Sequence, residues 1–138
     1  MAIAQTQTTS FKLELYEGVH NFLTDTIKMA LYYSTATLGA STTVYTATGE
    51  VSGTGYSAGG KVLTGVTVAA ANNVAYVNFA NATWSPATFT CRGALIYNAS
   101  KGNKAIAVLD FGADKTATNS FTVQMPVTGP TTALIRSS

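Results

Sequence analysis

The sequence predicts an all-β domain, an antiparallel β-sandwich of about eight strands for which a jelly roll is one allowed arrangement. Three observations carry this. Short segments rich in β-branched and aromatic residues recur along the chain, turn-forming Gly, Asn, Asp and Pro separate most of them, and no sequence repeat is visible. Residues 11–138 are expected to form one domain, preceded by a flexible N-terminal arm, Met1 to Ser10, whose Gln- and Thr-rich sequence has no apolar periodicity and would gain order only against something else.

In FKLELYEG, Phe11, Leu13 and Leu15 alternate with Lys12, Glu14 and Tyr16, which predicts a first strand with one face inward. GVHNFLTD follows with Gly18, Asn21 and Asp25, a loop signal. In TIKMALYY, Ile27, Met29, Leu31 and Tyr33 alternate; Ile27, Ala30 and Leu31 would share a helical face, but the β-branched and aromatic content and Thr-rich flanks favour a strand. Ser34 to Gly60 holds few large apolar residues and reads as a long Gly/Ser/Thr-rich surface excursion, with room for a helical turn at Ala40 to Tyr45. A loop of this length usually has a binding or assembly role.

From Lys61 the strands follow closely: KVLTGVTVA, VAYVNFA, TFTCRGALIYN, KAIAVLDFG, NSFTVQMPV and TTALIRS. Turn signals stand at Ala71-Asn72-Asn73, Ser85-Pro86, Ser100-Lys101-Gly102-Asn103 and Gly112-Ala113-Asp114. TFTCRGALIYN and KAIAVLDFG are expected to pair as a hairpin across the short polar linker, with Gly102 supplying a positive φ. Their nearly continuous apolar content predicts burial on both faces, or at a subunit contact.

Composition narrows the function. Of 138 residues, 46% are hydrophobic and 10% charged, against about 25% charged in ordinary soluble domains, so disorder is disfavoured and a weakly charged surface is expected. Such a surface is poorly protected against association and suits a subunit of an assembly. The longest apolar runs fall far short of the roughly 20 residues of a spanning helix, so no membrane is implied. The net charge of +2 comes from scattered Lys and Arg, so no nucleic acid is implied either. Cys91 is the single cysteine, which leaves no internal disulfide and reads as a buried thiol. The N-terminal residues lack the features of a secretory signal, and the Asn-x-Ser/Thr triplets at Asn81 and Asn98 read as chance matches.

Each motif that resembles a catalytic one lacks something its chemistry needs. GYSAGGKV, Gly55 to Val62, follows a phosphate-loop frame but places Val62 where a hydroxyl must hold magnesium, and leads into a strand pattern, so it reads as a glycine-rich turn. Asp110-Phe111-Gly112 reads as a strand end entering a turn, and Asp110 with Asp114 as turn carboxylates rather than a dyad. His20 is the only histidine, which rules out a two-His metal set. A His20–Cys91 pair would need a reachable thiolate, and Arg92 next door should face the other way. No catalytic, cofactor-binding or metal-binding residue is therefore assigned. Trp84 and the tyrosines read first as packing residues, although Tyr32, Tyr45 and Tyr56 could anchor a partner and an exposed Trp84 could stack on a glycan.

The segments IKMALYYSTATL, TTVYTATGEVSGTGYSAGGKVLTGVTV, VAYVNFANATWSPATFTCRGALIYN and KAIAVLDFGADKTATNSFTVQMP resemble a family of small virion structural proteins of tailed bacteriophages. The resemblance covers about Phe11 to Ile135, and its most specific piece is ATWSPATFTCRGALIYN followed by AIAVLDFGADKTA. It implies a homo-oligomeric capsid decoration or cement protein, assembled in the host cytoplasm and contacting the major capsid protein or other virion subunits. A tail or head-to-tail connector component is the alternative, and a glycan-binding host-surface module a further one. The family brings no catalytic residues. Met1 to Ser10 or Ser34 to Gly60 would then be the segments that reach neighbouring subunits.

Overall fold

A computed structural model describes residues 3–126, 128, 129 and 131–137. The chain is mostly β and its strands pair antiparallel in three sheets. In chain order the elements are β1 (Thr6–Gln7), α1 (Thr9–Tyr16), β2 (Ile27–Tyr32), β3 (Lys61–Val62), β4 (Thr67–Ala71), β5 (Val74–Asn78), β6 (Ala82–Trp84), β7 (Phe89–Asn98), a 3-10 turn (Ala99–Lys101), β8 (Lys104–Ala117), β9 (Phe121–Val123) and β10 (Ile135–Ser137). The large sheet runs β1-β8-β7-β2-β3, the second β10-β5-β4, and the third is the pair β6-β9.

The β7-β8 hairpin is the centre of the large sheet, paired from Asn98↔Lys104 to Phe89↔Ala117. Its connection turns through Gly102 and Asn103, both at positive φ. β2 lies along its other flank, with Ile27 opposite Asn98 and Tyr32 opposite Gly93. The continuous apolar runs of these strands follow from burial on both faces. Ile27, Met29, Leu31, Cys91, Ala94, Ile96 and Ile106 join a large core with Phe11, Phe22, Val77, Phe79, Trp84 and Ile135. Their alternating neighbours Ala30, Tyr32, Leu95, Tyr97, Ala105 and Val108 join a second core with Ile3, Ala36 and Leu38.

That second core corrects two expectations. Ser34 to Gly60 is no free excursion: Ala36 and Leu38 are buried in this core, Val51 is buried in the first one, and single bridges join Val44 to Lys104 and Glu50 to Tyr32. It covers the second face of the sheet, held by spaced contacts that leave no periodic sequence pattern. Where a helical turn was expected at Ala40 to Tyr45, a tight turn closes with Thr42 N–H donating to Gly39 C=O. The N-terminal segment, expected to be an arm over Met1 to Ser10, is laid on its own domain from Ile3 onward. Ile3 is buried and β1 pairs Thr6 and Gln7 with Val108 and Ala107. Polar side chains hid this strand because an edge strand needs only its backbone to pair.

FKLELYEG is also corrected, from strand to helix. Thr8, fully buried, caps α1 by accepting the Phe11 N–H at 3.1 Å. At the other end Gly18, at φ +71°, donates to Leu15 C=O while Val19 donates to Glu14 C=O, a Schellman closure. Phe11 and Leu15 are four residues apart, a spacing that shares one face of a strand and one face of a helix alike, so alternation could not decide. Leu13 decides it, since it is 58% exposed while Phe11 is fully buried.

The expected turn at Gly112-Ala113-Asp114 lies inside β8. Cys91 pairs with Lys115 and Gly93 with Asp110, so Phe111 to Asp114 stand opposite Arg92 alone. Gly112, at φ +83°, sits in this wide bulge. KVLTGVTVA divides at Gly65, at φ +62°, into β3 of the large sheet and β4 of the second.

Candidate functional site

The glycine loop Gly55 to Val62 is a packed turn. Gly60, at φ +83°, lies so close to β2 that a Cβ would stand 1.9 Å from Met29 O. The anion that meets a loop amide is the chain's own Glu50, whose Oε2 accepts the Gly59 N–H at 2.8 Å. The loop leads into β3, as its pattern suggested, and offers no helix N-terminus.

Asp110 is committed to Arg92, whose Nε donates to Oδ1 at 2.9 Å, and to the Gly112 N–H at 2.9 Å. The Arg92 hydrogen bond, with the Gly112 amide, holds its carboxyl below the usual range. Cys91 is fully buried, and burial, with the charge of Asp114, pushes its thiol up to about 12. His20 bonds Asn98 at the far end of β7 from Cys91. Seven residues of strand separate those ends, roughly 23 Å at about 3.3 Å per residue, so the structure does not bring His20 and Cys91 together. Trp84 is 4% exposed and packs against Tyr56 and Phe121.

Two polar networks that the sequence did not announce hold the loops to the sheet. In the first, Glu50 accepts the Tyr45 and Tyr56 hydroxyls besides the Gly59 amide. Tyr56 Oη in turn accepts the Leu31 N–H of β2 at 3.0 Å, and Tyr97 Oη donates to Gly59 C=O at 2.5 Å. Tyr32 is fully buried and donates to Thr46 C=O at 2.6 Å. The tyrosines considered as partner anchors, Tyr32, Tyr45 and Tyr56, therefore spend their hydroxyls inside the domain. Burial first, then the negative charge of Glu50, raises the pKa of Tyr32 and Tyr97; for Tyr45 and Tyr56 burial is joined by their hydrogen bonds to that carboxylate.

The second network ties α1 and the loop after it to the end of the central hairpin. Asn98 Nδ2 donates to Asp25 Oδ2 at 2.8 Å and faces His20 Nδ1 at 3.0 Å, while His20 Nε2 lies 2.8 Å from Glu14 Oε1. Because Asn98 Oδ1 accepts the Ser100 N–H, its amide is oriented, and the network assigns the His20 proton to Nε2. Lys101 Nζ reaches both Asp25 oxygens, at 2.8 and 2.9 Å. Burial of Asp25 opposes its charge, but hydrogen bonds from Lys101, Asn98 and the Asn21 amide outweigh it and hold the carboxyl at about 2. His20 packs against the rings of Phe11 and Phe22, which also meet each other edge-on, and its side chain has no exposure. These groups act as a buried pin with every member bonded, and none is placed to attack a substrate.

A few large apolar side chains face outward. Leu13, Tyr16 and Leu23, on α1 and the following loop, are 58%, 93% and 71% exposed. Beside them a groove of about 180 Å³ runs between α1 and the second sheet, lined by Phe11, Leu15, Phe22, Val68, Val77 and Ile135 among others. No family model, curated protein or solved structure matches this chain. Among the described residues no three His, Cys, Asp or Glu side chains are grouped to hold a metal ion, and no helix is long and apolar enough to cross a membrane.

Proposed function

We propose that this chain is a structural protein of a tailed-phage virion, a decoration or cement subunit that binds and stabilises the shell of the major capsid protein, and that it does no catalysis. The observation that carries the reading is the exposure of the large apolar side chains Leu13 and Tyr16 on α1, and of Leu23 in the loop after it, on a chain with only 10% charged residues. Leu13 and Tyr16 are three residues apart on α1 and share its outward side. Exposed apolar groups gathered on one element mark a surface that another protein covers. The resemblance of ATWSPATFTCRGALIYN and AIAVLDFGADKTA to small virion proteins points the same way.

The mechanism is recognition by area. A shell presents each contact many times, so modest affinity at one copy suffices when copies are linked. α1 is suited to this because the Glu14–His20–Asn98–Asp25 pin fixes it to the central hairpin, so binding costs little ordering entropy. The test is reassociation of purified protein with particles stripped of it, followed by sedimentation and quantitation of bound copies. Leu13→Asp with Leu23→Asp should lower occupancy at least tenfold without altering the unfolding midpoint. Full occupancy by the double variant refutes the assigned face, and binding of only a handful of copies at one vertex would make the chain a connector or tail component.

A further inference from the structure

The outer edge of the second sheet carries an inference independent of the virion reading. β4, Thr67–Ala71, pairs only with β5, and four of its five residues are exposed. Its sequence, TVAAA, holds no charge and no proline, and its ladder with β5 has no bulge. Exposed edges are normally guarded by such devices or by being short. The other outer strands follow that rule among the described residues: β1 and β3 have two residues each, β6 and β9 three each, and β10 carries Arg136. β4 is the long unguarded one.

The hairpin geometry fixes which backbone groups point outward. Ala71 pairs with Val74 across Asn72 and Asn73, which have φ +53° and +65°, the type I′ turn. Residues flanking such a turn exchange both of their hydrogen bonds, so alternation along the ladder makes Ala71, Ala69 and Thr67 the residues bonded to β5. Val68 and Ala70 therefore direct N–H and C=O away from β5, and no described residue satisfies them.

We propose that the β4 edge pairs antiparallel with the β4 edge of a second copy of this chain, about a twofold axis at Ala69. In that register Val68 of one copy faces Ala70 of the other, twice. These are the outward-directed residues, so four backbone hydrogen bonds close the pair and Ala69 meets its own copy in the intervening narrow position. A second copy is the occupant because an edge meeting itself always meets its own charge. A charged edge repels its copy, whereas TVAAA brings no like charges together, and β5 behind it, VAYVN, brings none either. Side chains agree with the register. Val68, 47% exposed, ends the row Ile135–Val77–Val68 on the groove side, and Ala70 of the second copy would extend it. The result is one six-stranded sheet with no edge at its centre and an isologous interface that closes on itself.

Sedimentation equilibrium of the full chain across a wide concentration range tests this. The wild type should form a dimer with slow hydrogen exchange at the Val68 and Ala70 amides. Ala70→Pro removes an outward N–H without touching the ladder to β5, and should leave a folded monomer, judged by Trp84 fluorescence. Ala69→Lys and Ala69→Glu should each be monomeric alone and dimerise when mixed, since the two charges then face one another. A wild type that stays monomeric at every concentration overturns the proposal. So does an oligomer that persists in Ala70→Pro or in either Ala69 variant alone.

Discussion

Glu50→Ala is the perturbation that asks most of the fold, because one carboxylate ties the loop over residues 34–60 together and positions Tyr56 and Gly59, which bond Leu31 and Tyr97 of the sheet. It removes the acceptor of two tyrosine hydroxyls and the Gly59 amide. Hydrogen bonds to a charged acceptor contribute about 1.5–3 kcal/mol each, but Glu50, Tyr45 and Tyr56 are only partly buried and water can replace part of the loss. An expected destabilisation of about 3–4 kcal/mol results, a large share of the roughly 5–15 kcal/mol by which domains are stable. Glu50→Gln keeps an acceptor and loses the charge, and should cost about 1–2 kcal/mol. Trp84, the only tryptophan, is buried against Tyr56 and reports the transition in urea. With a slope near 2 kcal/mol/M, the Glu50→Ala midpoint should fall by about 1.5–2 M. A change below about 0.5 kcal/mol for Glu50→Ala would refute the view that this carboxylate staples the loop.

Further outcomes follow from the same contacts. Asp25 is held at about 2 against an ordinary 3.8, a depressed folded value, so its stabilisation is present above about pH 4 and is lost as the pH falls toward 2; Asp25→Asn should flatten the stability profile in that window. Tyr32, Tyr45, Tyr56 and Tyr97 have raised folded values, so their contribution is complete below about pH 10 and lost above it; four of the seven tyrosines should resist ionisation at 295 nm until the protein unfolds. Cys91, buried with its thiol near 12, should stay unmodified by an aromatic disulfide reagent at pH 8 in the native state and react at once in denaturant; prompt reaction of the native protein would contradict its burial. Gly60→Ala should destabilise by about 2 kcal/mol or more, because the position combines a left-handed φ with a backbone carbonyl where the Cβ must go, and unfolding by urea measures it.

The all-β class and the β7-β8 hairpin were legible because alternation, chain polarity and turn residues all agree there. The helix over Thr9–Tyr16 was not, since a four-residue spacing satisfies both periods, and the decisive signals were Thr8 before it and Gly18 after it. The bulge opposite Arg92 was read as a turn because Gly112 asks for the same backbone conformation in either setting. The Asp25–Asn98–His20 contacts join residues far apart in sequence, and the Glu50 partners Tyr45, Tyr56 and Gly59, though near it in the chain, follow neither a helical nor a strand period, so no local pattern foretells either network. Leu13 was hidden by its own hydrophobicity: an apolar residue in an alternating run reads as core, and only the helix turns it to the surface. Trp84 erred in the other direction, since its burial removes the ring on which the glycan-binding alternative depended.

The central claim, that this chain is a subunit of a virion surface, is tested most directly by a cryo-EM reconstruction of the purified particle with and without the gene for this chain. Density of this β domain should repeat over the outer shell, in contact with the major capsid protein through α1 and the loop bearing Leu23, and be missing from the deleted particle. Identical shells from the two preparations, with the chain absent from both, would contradict it.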